Sequence, residues 1–250
     1  MKSPTAILPL LPLLTQASTS HHPNNCPPCA DMTCPPPAGA AQIIVTRGST
    51  EMPGTGLLDP IASAIAAACP GSVVAANPYP ALLDPYVASE TAGLDDLARM
   101  VLGYKRCCGG GASSGRVVFL GYSQGAQVTA DFLCGRSEAG FGATDGYAAD
   151  VADDVAAIVL VGDPSFVKGL PWDRGNASNG SFFPRLDTTS CLPVADKMIS
   201  YCDAGDFFCD NGTSTDALLI HESYALRYGA QIVEYVVDKI GGCDADGDQW

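Results

Sequence analysis

The sequence predicts a single α/β domain built on a parallel sheet with helices on both faces. Three observations carry this. Short runs apolar on both faces recur along the chain, stretches of helical periodicity separate them, and one run leads directly into a Gly-x-Ser-x-Gly turn followed by a helix. Strands buried on both faces lose the in/out alternation of a half-exposed sheet, and parallel neighbours require crossover segments, so the two patterns belong together. A chain of 250 residues is long enough to bury a large core in one domain.

Residues 1–20 predict a secretory signal peptide. Lys2 supplies the positive start, Ala6–Leu14 is the apolar stretch, and Thr15-Gln16-Ala17 offers small residues for cleavage. The apolar run is about half of what spans a bilayer, so no stable membrane insertion is expected. Residues 21–40 form a Pro/Cys-rich extension. Its Cys26-x-x-Cys29 and Cys34 resemble half a zinc site, but no second pair follows at finger spacing, which favours disulfides.

The domain proper spans 41–242. Its strands are expected at Gln42–Thr46, Ser72–Ala76, Arg116–Leu120, Ala156–Val161 and Lys197–Tyr201. Leu94, Leu97, Val101 and Tyr104 form one helical stripe. Ile232, Val233, Val236, Val237 and Ile240 form another, stopped by Gly241-Gly242. Phe166–Pro193, rich in Gly, Pro and Asn, reads as a surface excursion. Residues 243–250 read as an acidic tail. Cys243–Asp248 begins like a calcium loop but ends before a twelfth-position Glu, so no metal site is expected there.

Thirteen Lys+Arg against 27 Asp+Glu set a formal charge of −14, which excludes nucleic acid as a partner because phosphate contacts need basic density. Eleven cysteines favour an oxidising compartment. Sequons at Asn176, Asn179 and Asn211 fit a secreted glycoprotein.

The chemistry centres on Gly121-Tyr122-Ser123-Gln124-Gly125. A second match, Gly111–Gly115 around Ser113, lies in a Gly-rich loop before a strand, where nothing would hold its hydroxyl. Ser123 instead follows Val117–Leu120 and precedes the helical stretch Gln124–Cys134. Such a serine needs a base. His21 and His22 abut the cleavage zone, leaving His221, placed in the loop before the last helix. The order Ser…acid…His then leaves two candidates at strand ends, Asp163 and Asp206. Asp206 lies nearer His221, inside a loop that Cys202 and Cys209 would close; Asp163, before Pro164, also reads as a turn former.

These residues resemble the secreted serine esterases comprising cutinases and acetylxylan esterases. The likeness covers about residues 41–240. It rests on Arg47-Gly48-Ser49-Thr50-Glu51, the GYSQG elbow, Gly162-Asp163-Pro164, the Cys-bounded acid loop and His221. It implies a small α/β-hydrolase, a three-layer sandwich around a five-stranded parallel sheet, with Asp206 as the acid and Ser49 and Gln124 as the oxyanion hole. It also implies no cofactor and no metal, and an ester substrate: acetylated polysaccharide such as xylan, or a cutin-type polyester. A monomer is expected. Phe208 falls where acetylxylan esterases place aromatic bulk that shortens an acyl pocket, and Phe207 beside it is a further substrate-binding candidate, whereas Leu218, Leu219 and Ile220 would suit a greasier, cutin-binding lip. Rival readings are a protease using the same triad and an inactive secreted binding or effector protein.

The resemblance also pairs Cys134 with Cys191, and Cys202 with Cys209. Cys34 and Cys108 each stand fifteen residues before Ser49 and Ser123, which end neighbouring strands. That suggests Cys34–Cys108, with Cys107 competing. Cys26, Cys29, Cys69, Cys107 and Cys243 then remain, with at least one unpaired or intermolecular.

Overall fold

A computed structural model describes residues 29–110, 115–241 and 243. The predicted signal peptide, His21, His22, Cys26, Ser113, Gly242 and the tail from 244 onward lie outside the described residues.

Six strands form one sheet: β1 (Ala41–Thr46), β2 (Val73–Ala76), β3 (Arg116–Tyr122), β4 (Val155–Val161), β5 (Asp173–Arg174) and β6 (Met198–Tyr201). Their order is β2-β1-β3-β4-β6-β5 and every pairing is parallel. The sheet therefore has six strands where five were expected. The extra one is a two-residue edge, Asp-Arg, with no apolar run to mark it. It is held by its ladder bonds, Ser200 N–H to Trp172 O (2.9 Å) and Cys202 N–H to Arg174 O (3.0 Å), and by the burial of Trp172 beside it. The segment Phe166–Pro193 is thus more than a surface excursion: Phe166, Trp172, Ser181, Arg185 and Cys191 are all buried.

Central strands β1 and β4 are buried at every position, as their two-sided apolar sequences require. Alternation then divides two cores. Ile44, Phe119 and Ile158 join Leu97 and Val101 of α2 (Tyr86–Cys108) and Val128 and Phe132 of α3 (Gln124–Cys134). Ile43, Val45, Val118 and Leu120 face Ile61 and Ile65 of α1 (Asp59–Ala68) and Ile232 and Val236 of α6 (Tyr224–Ile240). Two short helices complete the set, α4 (Ala148–Val151) and α5 (Ala217–Glu222). Helix α6 ends at Gly241, whose φ of +112° permits the left-handed cap.

Five disulfides link described residues: Cys29–Cys107, Cys34–Cys108, Cys69–Cys243, Cys134–Cys191 and Cys202–Cys209. The first two lay the described part of the extension on the end of α2, where Pro35 is buried and its carbonyl accepts Gly115 N–H. Because all strands run parallel, the segments leaving β1, β3, β4 and β6 emerge on one side of the sheet, where ligand sites of open α/β folds form.

Candidate active site

Ser123 sits between β3 and α3 at φ 55°, ψ −123°, a region that side-chain-bearing residues seldom occupy and that costs on the order of 1–3 kcal/mol. The surroundings impose it. Ser123 N–H donates to Val161 O (2.9 Å), and its carbonyl accepts Ala126 N–H (2.9 Å), so the turn is bonded to β4 on one side and to its own helix on the other. The two elbow glycines are steric necessities. A Cβ on Gly121 would lie 2.7 Å from Gly125 O, and one on Gly125 would overlap the carbonyls of Thr46 and Arg47. Helix α3 can thus approach the end of β1 closely enough to bring the 48–50 loop beside Ser123.

That loop is braced from within. Glu51 accepts Gly48 N–H and Leu57 N–H, both at 2.6 Å. The buried Arg47 guanidinium donates to the carbonyls of Glu51 (3.0 Å), Asn77 (3.3 Å) and Tyr79 (2.8 Å). Ser49 lines the cleft, and its Oγ is buried without a hydrogen-bond partner among the described residues. Gln124 is fully buried with its side chain turned away, Oε1 accepting from Ser89 Oγ (3.0 Å) and Nε2 donating to Leu82 O (3.0 Å). Its backbone N–H, at the first turn of α3, has no acceptor within the helix and suits an anionic ligand.

His221 lies on α5, not in a loop; with six residues the helix is too short for apolar periodicity to announce it. Its Nδ1 is 2.8 Å from Asp206 Oδ2. Asp206 is fully buried and accepts three further hydrogen bonds: Phe208 N–H (2.7 Å) and Cys209 N–H (2.9 Å) at Oδ1, and Tyr224 O–H (2.8 Å) at Oδ2. The imidazole is walled by Tyr122, Phe208 and Tyr224 at centroid distances of 5.1, 4.7 and 6.4 Å. Gly162 passes beside it, where a Cβ would approach His221 Cε1 to 2.8 Å. Nε2 of His221 is buried and without a partner among the described residues.

Asp163, the other acid candidate, is turned elsewhere. Its Oδ1 accepts Ser165 N–H (2.7 Å) and Ser165 Oγ–H (2.8 Å), which shapes the turn after β4. Burial pushes its carboxyl up to about 6, against the opposing pull of Arg185 and Ser165.

Ser123 and His221 share a cleft of about 180 Å³ with Ser49, Leu83, Tyr86, Tyr122, Pro164, Phe208 and Leu218. Phe207 stands behind Phe208 and against the half-exposed Phe182, at 4.9 and 5.1 Å. Leu219 is exposed beyond the cleft lining. Asn176, Asn179 and Asn211 are exposed, on the excursion and after the acid loop. Sequence reading missed Tyr122, Tyr224, Tyr86 and Glu51. None carried a signal along the chain: Tyr224 opens α6, a separate helix from the α5 that bears His221.

Parallel sheet, elbow and the loops gathered at the strand ends define a cutinase-like α/β-hydrolase. The cutinase family profile matches residues 37–240, so the chain belongs to the cutinase family, and it is an esterase. Acetylxylan esterase 2 of Talaromyces purpureogenus is 31% identical over 219 residues, covering 84% of this chain and 88% of that one. Cutinase 11 of Verticillium dahliae is 28% identical over 218 residues, covering 83% and 70%. A solved acetylxylan esterase structure superposes with a TM-score of 0.73 at 30% identity, covering 83% of this chain and all of that one.

Proposed function

We propose that this chain is a secreted serine carboxylic-ester hydrolase that removes acetyl groups from plant cell-wall polysaccharide such as acetylated xylan. The observation that carries the reading is the Asp206–His221 hydrogen bond opening onto the cleft that holds Ser123. In this reading Ser123 Oγ attacks the ester carbonyl while His221 Nε2 takes its proton. The tetrahedral oxyanion is held by the N–H groups of Ser49 and Gln124, each donor worth about 10²–10³ in rate. Collapse expels the alcohol, which receives the proton from His221. Water, deprotonated by the same nitrogen, then attacks the acyl-enzyme and releases acetate and free Ser123. Asp206 orients the imidazole and stabilises its charged form.

Phe208 supports a short acyl group, because its ring lies on His221 and lines a small cleft. Exposed Leu82, Leu83, Leu218 and Leu219 favour a second reading, a hydrophobic polyester or longer acyl chain. Fit to a route through the secretory pathway comes from the apolar N-terminal segment and the exposed sequons. One experiment separates the readings: a p-nitrophenyl series from acetate to octanoate beside acetate release from acetylated xylan, with Ser123→Ala as control. The expected result is acetate preference, xylan deacetylation and no turnover by the variant. Octanoate preference without acetate release replaces the substrate; undiminished activity of Ser123→Ala overturns the mechanism.

A further inference from the structure

We infer that Tyr224 is a positioning residue of this site, its hydroxyl holding the acid that orients His221; the inference rests on Ser123, His221 and Asp206 acting as the triad. Tyr224 is fully buried at the first position of α6, three residues after His221. Its hydroxyl oxygen accepts Asp203 N–H at 2.8 Å. With that interaction taken, its single proton is free for Asp206 Oδ2, also at 2.8 Å. A third neighbour, Cys209 Sγ at 3.4 Å, is bonded to Cys202, has no proton to give, and is a far weaker acceptor than the carboxylate.

The geometry gives this contact a chemical role. Oδ2 is the same oxygen that meets His221 Nδ1, so the tyrosine and the imidazole share one acceptor, whereas the two backbone donors occupy Oδ1. A second donor on Oδ2 fixes the carboxylate plane and draws off part of its negative charge, which sets how strongly it holds an imidazolium. The tyrosine also joins the two sides of the acid loop, reaching Asp203 at its start and the Cys209 corner at its end. Gly162 leaves room for both rings, since a Cβ there would stand 2.9 Å from His221 Nδ1 and 3.3 Å from Tyr224 Cε2.

The ionisable neighbours are few. Asp206 and Asp203 lie on the acid loop, and Arg227 on α6 pairs with Asp203 at 2.6 Å. Tyr228, stacked on Tyr224, donates to Asp203 Oδ1 at 2.7 Å. Glu222 borders the cleft beside His221. Of these, Tyr228 serves as a built-in control, because its hydroxyl supports the same loop through Asp203 and does not touch Asp206.

The test compares Tyr224→Phe, Tyr228→Phe and a chain carrying 3,5-difluorotyrosine at position 224 with the unaltered protein, measuring kcat, KM and the pH profile of kcat/KM on p-nitrophenyl acetate. Tyr224→Phe is expected to lose about tenfold in kcat with KM within about twofold, the loss of one hydrogen bond to a charged group. The midpoint of its acid limb should rise by about half a pH unit, because a carboxylate relieved of one donor holds the imidazolium more tightly. The fluorinated residue keeps the shape and strengthens the donor, so its midpoint should fall. Tyr228→Phe should match the unaltered protein. Unchanged kcat and midpoint in folded Tyr224→Phe overturn the role; if that variant does not fold, an unshifted midpoint in the fluorinated protein does so. An unaltered protein that fails to cleave the ester at all instead overturns the triad itself, and this role with it.

Discussion

Asp206 and Asp131 are both shut off from solvent, yet one is surrounded by donors and the other by acids. Asp206 meets two backbone N–H groups, a tyrosine hydroxyl and an imidazole, so its oxygens are satisfied without any neighbouring anion. Asp131, on α3, has one cation at Oδ1, Arg185 at 2.5 Å, and that guanidinium is shared with Glu138 at 2.8 Å and Ser165 Oγ at 3.1 Å. Glu90 on α2 depends on Arg136 at 3.0 Å. Asp131 Oδ2 and Glu90 Oε1 have no hydrogen-bond partner among the described residues. Burial therefore drives Asp131 well above the usual carboxylate range and raises Glu90. The difference teaches that burial alone does not decide the state of an acid. Neutral donors arranged by a short closed loop surround Asp206, whereas four acids, Glu90, Asp131, Glu138 and Asp163, crowd around the guanidinia of Arg185 and Arg136.

The largest test of this contrast is Asp206→Asn. The amide can no longer accept from Nδ1 in the same way, and kcat should fall by about 10³–10⁴ while the urea midpoint moves little. A loss below tenfold would remove Asp206 from the mechanism. Arg185→Met should do the reverse. It strips the cation from Asp131 and Glu138 and should lower unfolding free energy by about 3–5 kcal/mol, read by urea titration, with kcat of the folded fraction retained.

The smallest effect is in pH. Asp163 is raised in the folded protein, so below the unfolded value near 3.8 it is protonated in both states and its contribution is complete. That contribution is then lost as pH rises through about 6. Asp131 and Glu90, shifted in the same direction, carry the decline further. Thermal melts should therefore show falling stability above about pH 4. Asp163→Asn should flatten the portion between about 4 and 6, on the order of 3 kcal/mol. A melting temperature independent of pH in the unaltered protein would dissolve the contrast.

Much of the architecture was legible because it rests on short-range rules. Two-sided apolar runs announced β1, β3 and β4, and the stripe through Leu94, Leu97, Val101 and Tyr104 announced α2, all four residues being buried. The elbow was legible because Gly121 and Gly125 are sterically obligatory. Strand β5 was not, since a two-residue edge is made by its neighbour's hydrogen bonds. His221 could be named by elimination, whereas the groups around it come from the ends of β3, β4 and β6 and the start of α6 and have no common signal along the chain. The crowded acids Glu90, Asp131, Glu138 and Asp163 were invisible for the same reason, arriving from α2, α3 and two loops. Cysteine counting left Cys29, Cys69, Cys107 and Cys243 unassigned, and the fold joins them as Cys29–Cys107 and Cys69–Cys243.

Those last two bridges have a topological consequence. One closes a ring from Cys29 to Cys107, the other a ring from Cys69 to Cys243, and the rings overlap. Every peptide bond between Cys29 and Cys243 thus lies inside at least one of them. A protease that cuts once anywhere in that span, even in the exposed stretch 174–176, opens a ring but frees no fragment. The nicked chain remains one molecule until its disulfides are reduced.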